Sequence, residues 1–329
     1  MDRRRSAIAM LSLAVLAASP RVASQTSVRP RRLGVLNLSN PVAARASTAY
    51  FTDELAKLGW VEGQNLQSTY RYADGDVARF PALAAELIAL EPDVLFASTA
   101  TGSLALARAT SRIPIVMSGS VDPVAMGLVK SLARPGGNVT GTAAAIGSDY
   151  QGKQLEILKD WLPRFSRLAV IHNPSEADDA IRLATLHEYG NHFGLRIDLL
   201  SVGNPSELRG AIDSLRKDPP DAVYIFGSSF SFTNRDVICA EILHVHLPTI
   251  TGATLFTESG CLASFTYSLE ELQRENARFV DQVLRGANPA DLPVRQPTRI
   301  EFVINARAAA SLGLAIPPKL RVMADRLIE

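Results

Sequence analysis

Pro92-Asp-Val-Leu-Phe-Ala-Ser98-Thr99-Ala-Thr101-Gly102-Ser-Leu-Ala-Leu-Ala-Arg-Ala109 carries the grammar of the whole chain. Asp93 to Ala97 is a short, almost unbroken apolar run. It is too short for a helix and reads as a strand covered on both faces. It runs into small hydroxyl residues, and Gly102 to Ala109 then reads as a helix. A strand buried on both faces and followed at once by a helix is the repeating unit of a parallel α/β sheet.

The same alternation extends outward. Leu33 to Asn37 reads as a strand. Thr48 to Leu58 reads as a helix with Phe51, Leu55 and Leu58 on one face, ended by Gly59. Leu66 to Tyr72 and Ile113 to Met117 are strands, and Phe80 to Leu90 is a helix stopped before Pro92. Further on, strands at Leu168–Ile171, Leu195–Val202, Ala222–Phe226 and Pro248–Thr251 alternate with helices at Asp178–Phe193, Ser206–Lys217 and Arg235–His244. Leu33 precedes Leu168 by 135 positions, Pro92-Asp93 precedes Pro220-Asp221 by 128, and Ile113-Pro114 precedes Leu247-Pro248 by 134. Landmarks in one order at nearly one spacing predict two lobes of like topology rather than one large sheet.

Composition narrows the function. The 329 residues hold 34 Lys and Arg against 33 Asp and Glu, a formal net charge of +1, which argues against a basic nucleic-acid-binding protein. Only Cys239 and Cys261 occur, too few for a disulfide-dense scaffold, an all-cysteine zinc site or an iron–sulfur cluster. They are expected either to pair or to stand as separate buried thiols, since pairing depends on geometry. Arg3-Arg4-Arg5, an apolar run from Ala7 to Ala18 and Val22-Ala23-Ser24 together read as a cleaved export leader, residues 1–24. An uncleaved anchor is the alternative, although twelve apolar residues are too few to span a bilayer. Those 24 residues carry four Arg and one Asp, so their removal takes the net charge from +1 to −2.

In doubly wound sheets, ligands sit beyond the carboxyl ends of the strands. Here those ends hold Asn37 to Asn40, Ser98 to Thr101, Ser118 to Ser120, His172 to Ser175, Gly227 to Ser229, and Thr251-Gly252. Small hydroxyl and amide residues before a helix suit anion binding, and each is equally a helix cap. The candidate ligand contacts are Asn40, Ser98, Thr99, Thr101, Ser120 and Asp122 on the first lobe, and Asn173, Ser175, Ser228 and Thr251 on the second. Asp122 precedes an apolar stretch, Val124 to Leu132, that reads as a helix; it is either a turn former or a carboxylate facing the cleft. Tyr150, Phe230, Phe232, Phe256 and Tyr267 lie near cleft-side loops as packing or stacking groups.

Enzyme signatures fail on context. Gly147 to Gln154 matches a phosphate loop except at Gln154, which stands where magnesium needs a hydroxyl. His187 and His192 are five apart, off the face that a zinc-protease pair shares. No nucleophile elbow or dinucleotide fingerprint is present. No metal or cofactor is expected.

Gly59-Trp-Val-Glu-Gly63-Gln-Asn65, Tyr70-Arg71-Tyr72-Ala-Asp-Gly75, Asp122-Pro-Val, Gly127-Leu-Val-Lys-Ser-Leu-Ala-Arg-Pro-Gly-Gly-Asn-Val-Thr-Gly141, Gly286-Ala-Asn-Pro-Ala-Asp-Leu-Pro293, and Gln296-Pro-Thr through Val303-Ile-Asn305 form a further pattern. It resembles the ABC-transporter substrate-binding proteins of the tryptophan/tyrosine-uptake type, over about residues 31–329. The resemblance implies an α/β, type I periplasmic-binding-protein fold: two doubly wound parallel-sheet lobes joined by three hinge crossovers, with ligand between them and no catalysis. It implies a first lobe of 30–145 plus 268–297 and a second of 146–267 plus 298–329. Hinges are then expected at 143–150, 265–269 and 297–298. The chain departs from the pattern at Gly260-Cys261, where the family often has glycines.

A periplasmic, monomeric binding component is expected, partnered by a small amino-acid-like ligand and a membrane permease. Ligand carboxylate is expected near Thr99 to Gly102, helped by Ser98 and Ser120, and ammonium near Asp122. Contacts from Asn173, Ser175, Ser228 and Thr251 would complete the site. Two readings compete: an isomerase or racemase using Cys239 and Cys261 as a thiol pair, and a ligand-sensing ectodomain. The leader is directly checkable. The intact mass of the exported protein is expected to correspond to residues 25–329; a mass that retains Arg3 to Arg5 would mean an anchor.

Overall fold

The computed structural model describes residues 29–144 and 149–329. The leader and the residues from 145 to 148, including Gly147 of the phosphate-loop resemblance, lie outside them.

The first half alternates as β1 (Arg31–Asn37), α1 (Arg45–Lys57), β2 (Leu66–Tyr72), α2 (Phe80–Ala89), β3 (Val94–Ala97), α3 (Ala100–Ala109), β4 (Ile115–Ser120) and β5 (Val139–Ala143). The second half runs α4 (Asp149–Trp161), β6 (Arg167–His172), α5 (Asp179–Phe193), β7 (Arg196–Ser201), α6 (Pro205–Lys217), β8 (Ala222–Ile225), α7 (Ser229–Thr233), α8 (Arg235–His244), β9 (Thr249–Thr251), α9 (Thr254–Glu258) and β10 (Ala263–Tyr267). It closes with α10 (Leu269–Leu284), β11 (Ile300–Asn305), α11 (Ala306–Ser311), α12 (Pro318–Met323) and β12 (Arg326–Ile328).

Two sheets result, one of five strands in the order β2-β1-β3-β4-β5 and one of seven in the order β12-β11-β10-β9-β8-β6-β7. Each is sandwiched between helices. On β1, Leu33 and Val35 pack toward Phe51, Leu55 and Phe279, while Leu36 packs toward Phe80 and Leu87 on the opposite face. On β8, Ala222 and Tyr224 face one core, and Val223 and Ile225 the other. The two-residue period of a pleated strand explains this split, and burial on both faces explains the unbroken apolar runs.

The chain crosses between sheets three times. After β10 it returns to the first sheet, where α10 packs on α1 and Trp60 Nε1 donates to Asp281 Oδ1 at 2.8 Å. Residues 288–295 then edge β5: Thr140 Oγ1 donates to Leu292 O at 2.7 Å, and Thr142 bridges to Arg295. β11 rejoins the second sheet. It runs antiparallel to β10, so that sheet departs from the all-parallel expectation at one pair.

A second difference concerns Val124 to Leu132, which forms no helix. Turns replace it, with Met126 N–H on Asp122 O, Gly127 N–H on Val124 O and Leu128 N–H on Pro123 O. Gly127 takes φ +71, a left-handed conformation that ends a helical turn. Gly141 has a different necessity. With φ +129, a Cβ there would sit 2.2 Å from Met117 O on the neighbouring strand.

Cys239 and Cys261 are joined in a disulfide with Cα atoms 4.9 Å apart, inside the normal span. It ties α8 to the segment entering β10, within a core shared with Ile238 and Phe256. For a separation of 22 residues, loop entropy gives about 3 kcal/mol of stabilisation. Replacing both cysteines by alanine is expected to lower stability by about that amount in denaturant titration. An unchanged midpoint would mean that the bridge adds nothing to the folded core.

Candidate ligand-binding site

A cavity of about 670 Å³ lies between the facing carboxyl ends of the two sheets. This is an ordinary size for a small-molecule site. Both lobes line it, with Leu38, Ser98 to Thr101, Ser118, Gly119 and Asp122 on one side and Tyr150, Glu176, Asp178, Arg182, Gly227 and Ser228 on the other.

On the first lobe, Thr99 is the extended N-cap of α3, and its hydroxyl accepts the Gly102 N–H at 3.1 Å. Ser98 accepts the Leu38 N–H at 3.1 Å and so fixes the neighbouring strand end. The N–H groups of Ala100 and Thr101 open the helix and have no intrahelical carbonyl to bond. Together with the helix dipole they present a positive pole to the cavity.

Thr101 reaches across the cleft. Its hydroxyl donates to Glu176 Oε2 at 2.9 Å and accepts the Ala177 N–H at 3.2 Å. The other Glu176 oxygen accepts the Ser229 N–H at 2.6 Å and also bonds the Ser229 hydroxyl. Glu176 is therefore a carboxylate only 9% exposed, with donors from both lobes. Gly75 of the first lobe also lies against α7, where an added Cβ would come within 2.9 Å of Thr233 Oγ1. These contacts describe a closed cleft.

On the second lobe, Arg182 donates to Gly227 O at 2.9 Å and stacks 4.3 Å over the Phe226 ring. Burial pushes its pKa down, but the charge of Asp178 and its other neighbours more than offsets this, so the net shift is upward and the guanidinium stays charged. Tyr150, Tyr224 and Tyr267 line the cavity as neutral phenols, their pKa values raised chiefly by burial. Gln154 braces this wall. It donates to Phe265 O at 2.6 Å and to Thr251 O at 3.3 Å, and accepts the Tyr224 hydroxyl.

Of the ten sequence candidates, Ser98, Thr99, Thr101, Asp122 and Ser228 line the cavity. The structure corrects the placement of the other five. Asn40 accepts the Ala43 N–H in a turn at 2.9 Å. Ser120 is fully buried against Met126 Sδ at 3.3 Å. Asn173 accepts the N–H of Ser175, which is exposed on the same loop. Thr251 is fully buried and accepts the Ala253 N–H. Each stands near a strand end, but the Asn40, Asn173 and Thr251 side chains accept local backbone N–H groups and the Ser120 hydroxyl meets Met126. Asp122 takes the turn-forming role with Oδ1, which accepts the Val124 and Ala125 N–H groups at 3.1 and 2.9 Å.

Tyr150, Phe232 and Tyr267 also line the cavity, whereas Phe230 and Phe256 belong to the core. Sequence reading missed Glu176, Asp178 and Arg182. Their only sequence signal was an acidic cluster after a strand end, with Arg182 one helical turn beyond Asp178. The two cysteines are bonded to each other inside the second lobe and do not face across the cleft. His172 lies 2.9 Å from Asp179 and 3.2 Å from Ser201, but none of these three lines the cavity; they join β6, α5 and β7. Among the described residues no cluster of three potential metal ligands occurs, and no helix is long and apolar enough to cross a membrane.

Comparison with known proteins places these features in context. A family model described as "ABC transporter substrate binding protein" matches residues 37–328. A curated relative from Clostridioides difficile (strain R20291), named "Tyrosine-binding protein", is 27% identical over 288 residues, covering 88% of this chain and 82% of its own. The crystal structure of a conserved domain protein from Vibrio cholerae superposes with a TM-score of 0.85 at 26% identity, over 91% of this chain and all of that one. A structure from Streptococcus pneumoniae in complex with L-Trp gives 0.83 at 24% identity, with the same coverage.

The Thr101 bridge is open to test. Thr101→Val leaves Glu176 Oε2 and the Ala177 N–H without their partner, a loss of about 1–3 kcal/mol to the closed form. Small-angle scattering is expected to show a larger radius of gyration than wild type. An unchanged radius would mean that other contacts hold the lobes together.

Proposed function

Since the chain belongs to the ABC transporter substrate-binding protein family, with the two-lobed fold of type I periplasmic binding proteins, we propose that its ligand is an aromatic amino acid held between the lobes. The observation that carries this is the mixed character of one cavity. Tyr50, Tyr150, Tyr224, Phe232 and Tyr267 offer ring surfaces, while the α3 N-terminus, Asp178 and Arg182 offer charge of both signs. An aromatic amino acid has this division, an apolar ring and a zwitterionic head. Its carboxylate fits the positive pole at Ala100 and Thr101, where Ser98, Thr99 and Ser228 supply hydroxyls. The C. difficile relative named for tyrosine and the S. pneumoniae structure holding L-Trp support the same class.

Family membership, rather than the lining of the cavity, favours holding a ligand over transforming it. The basic-then-apolar leader fits export to the periplasm, where the closed protein would deliver its ligand to a membrane permease as a monomer. A sensor ectodomain would use the same closure, so the permease is supported by family membership rather than by the site.

The test is a thermal-shift and calorimetric panel. Tryptophan or tyrosine at 100 times its dissociation constant adds about 2.7 kcal/mol, which raises the melting temperature by a few degrees. Leucine and glucose are expected to give no shift. A panel in which neither aromatic amino acid shifts the transition would remove the assignment.

A further inference from the structure

Accepting the amino-acid reading above, we infer that Asp178 is the ammonium acceptor of the site, so that the two charges of the ligand bridge the two lobes.

The carboxylates around the cavity differ in what they already bind. Glu176 accepts bonds from Thr101 and Ser229. Asp122 accepts two turn N–H groups. Glu258 pairs with Arg326 and Glu270 with Arg274, both at 2.6 Å. Glu301 lies 3.6 Å from Arg299, and Asp325 accepts the Phe302 N–H at 2.8 Å. Asp178, like Glu301, has only an ion pair too long for a hydrogen bond, but it is the less exposed of the two, 13% against 21%, and lies beside the opening turn of α3. Among the described residues no donor lies within hydrogen-bond distance of its side chain. It occupies the N-cap position of α5, where an aspartate ordinarily accepts a first-turn N–H, yet it makes no cap bond. The nearest cation, Arg182, stands off at 3.9 Å because its guanidinium is held by Gly227 O and by the Phe226 ring. Arg182 thus positions a negative charge without satisfying it. A mostly covered carboxylate that faces the cavity in this condition favours a charged donor, and a ligand ammonium is one.

The geometry also brings the poles together. The Ala177 N–H on Thr101 Oγ1 at 3.2 Å leaves Asp178 one residue from a contact with the opening turn of α3. A zwitterion seated there presents its carboxylate to the first lobe and its ammonium to the second. Closure then depends on both charges being present in one small molecule, as a population shift requires of a ligand that binds one conformer better.

Asp178→Asn and Asp122→Asn separate this from the alternative, with tryptophan or tyrosine as probe, whichever binds wild type. Asp178 makes no cap bond, but its charge supports the buried Arg182 guanidinium, so the unliganded D178N protein is expected to melt somewhat below wild type. Its affinity is expected to fall about 10- to 100-fold, the worth of a hydrogen bond to a charged group, while D122N stays within about threefold. An affinity of D178N near wild type overturns the inference, as does a loss carried by D122N instead. The arylpropionate that lacks the ammonium of the probe is expected to bind D178N as it binds wild type; a D178N protein that loses affinity for both alike marks Asp178 as structural and overturns the inference too. If wild type binds neither amino acid, the aromatic reading falls and this one with it; if wild type binds and D178N is unaffected, this one falls alone.

Discussion

The bond from Thr101 to Glu176 joins halves that are otherwise separate folds. Each lobe has its own sheet, and on each sheet two cores, one per face. Only crossovers of a few residues connect them covalently. The position of one lobe against the other is therefore decided by few, mostly polar contacts at the mouth of the cleft. A carboxylate only 9% exposed is tolerable there because donors from both lobes surround it. Opening would return Glu176 and the Thr101 hydroxyl to water, which hydrogen-bonds both.

The hinge side shows the complementary arrangement. Glu271, in the first turn of α10, accepts the Arg299 N–H at 2.8 Å and the Thr298 hydroxyl at 2.8 Å. Burial pushes its carboxyl pKa up, but these backbone and hydroxyl donors outweigh that, and the net direction is down. Ser268 N–H bonds Arg299 O at 2.9 Å, so two crossovers are stitched together where α10 leaves the second sheet. These bonds hold β10 and β11 in their antiparallel register beside the start of α10.

How far the sequence could be read depended on the physical origin of each signal. Strands such as Val94–Ala97 and Ala222–Ile225 are buried on both faces and announce themselves as apolar runs. The helix expected over Val124 to Leu132 carried a comparable apolar signal. It failed because Gly127 takes a left-handed turn, a backbone choice that hydrophobic pattern does not record. At the site, position along the strand was legible and side-chain direction was not. Ser120 and Ser118 are two apart at one strand end, yet only Ser118 lines the cavity. A register shift in the pairing of β4 with β5 falls between Met117 and Ser120 and helps set which serine faces where.

By itself the sequence determined the alternation of strand and helix, the division into two lobes and the strand ends at which a ligand site could form. Those follow from burial and from local propensity, which act over a few residues. Only the tertiary structure decided that Cys239 and Cys261 bond each other, that Thr101 reaches Glu176, and that among the described residues Asp178 has its nearest cation, Arg182, 3.9 Å away. Each of these is a distance between atoms brought together by packing. The energy of a hydrogen bond or ion pair changes over fractions of an ångström, far finer than any pattern along the chain resolves.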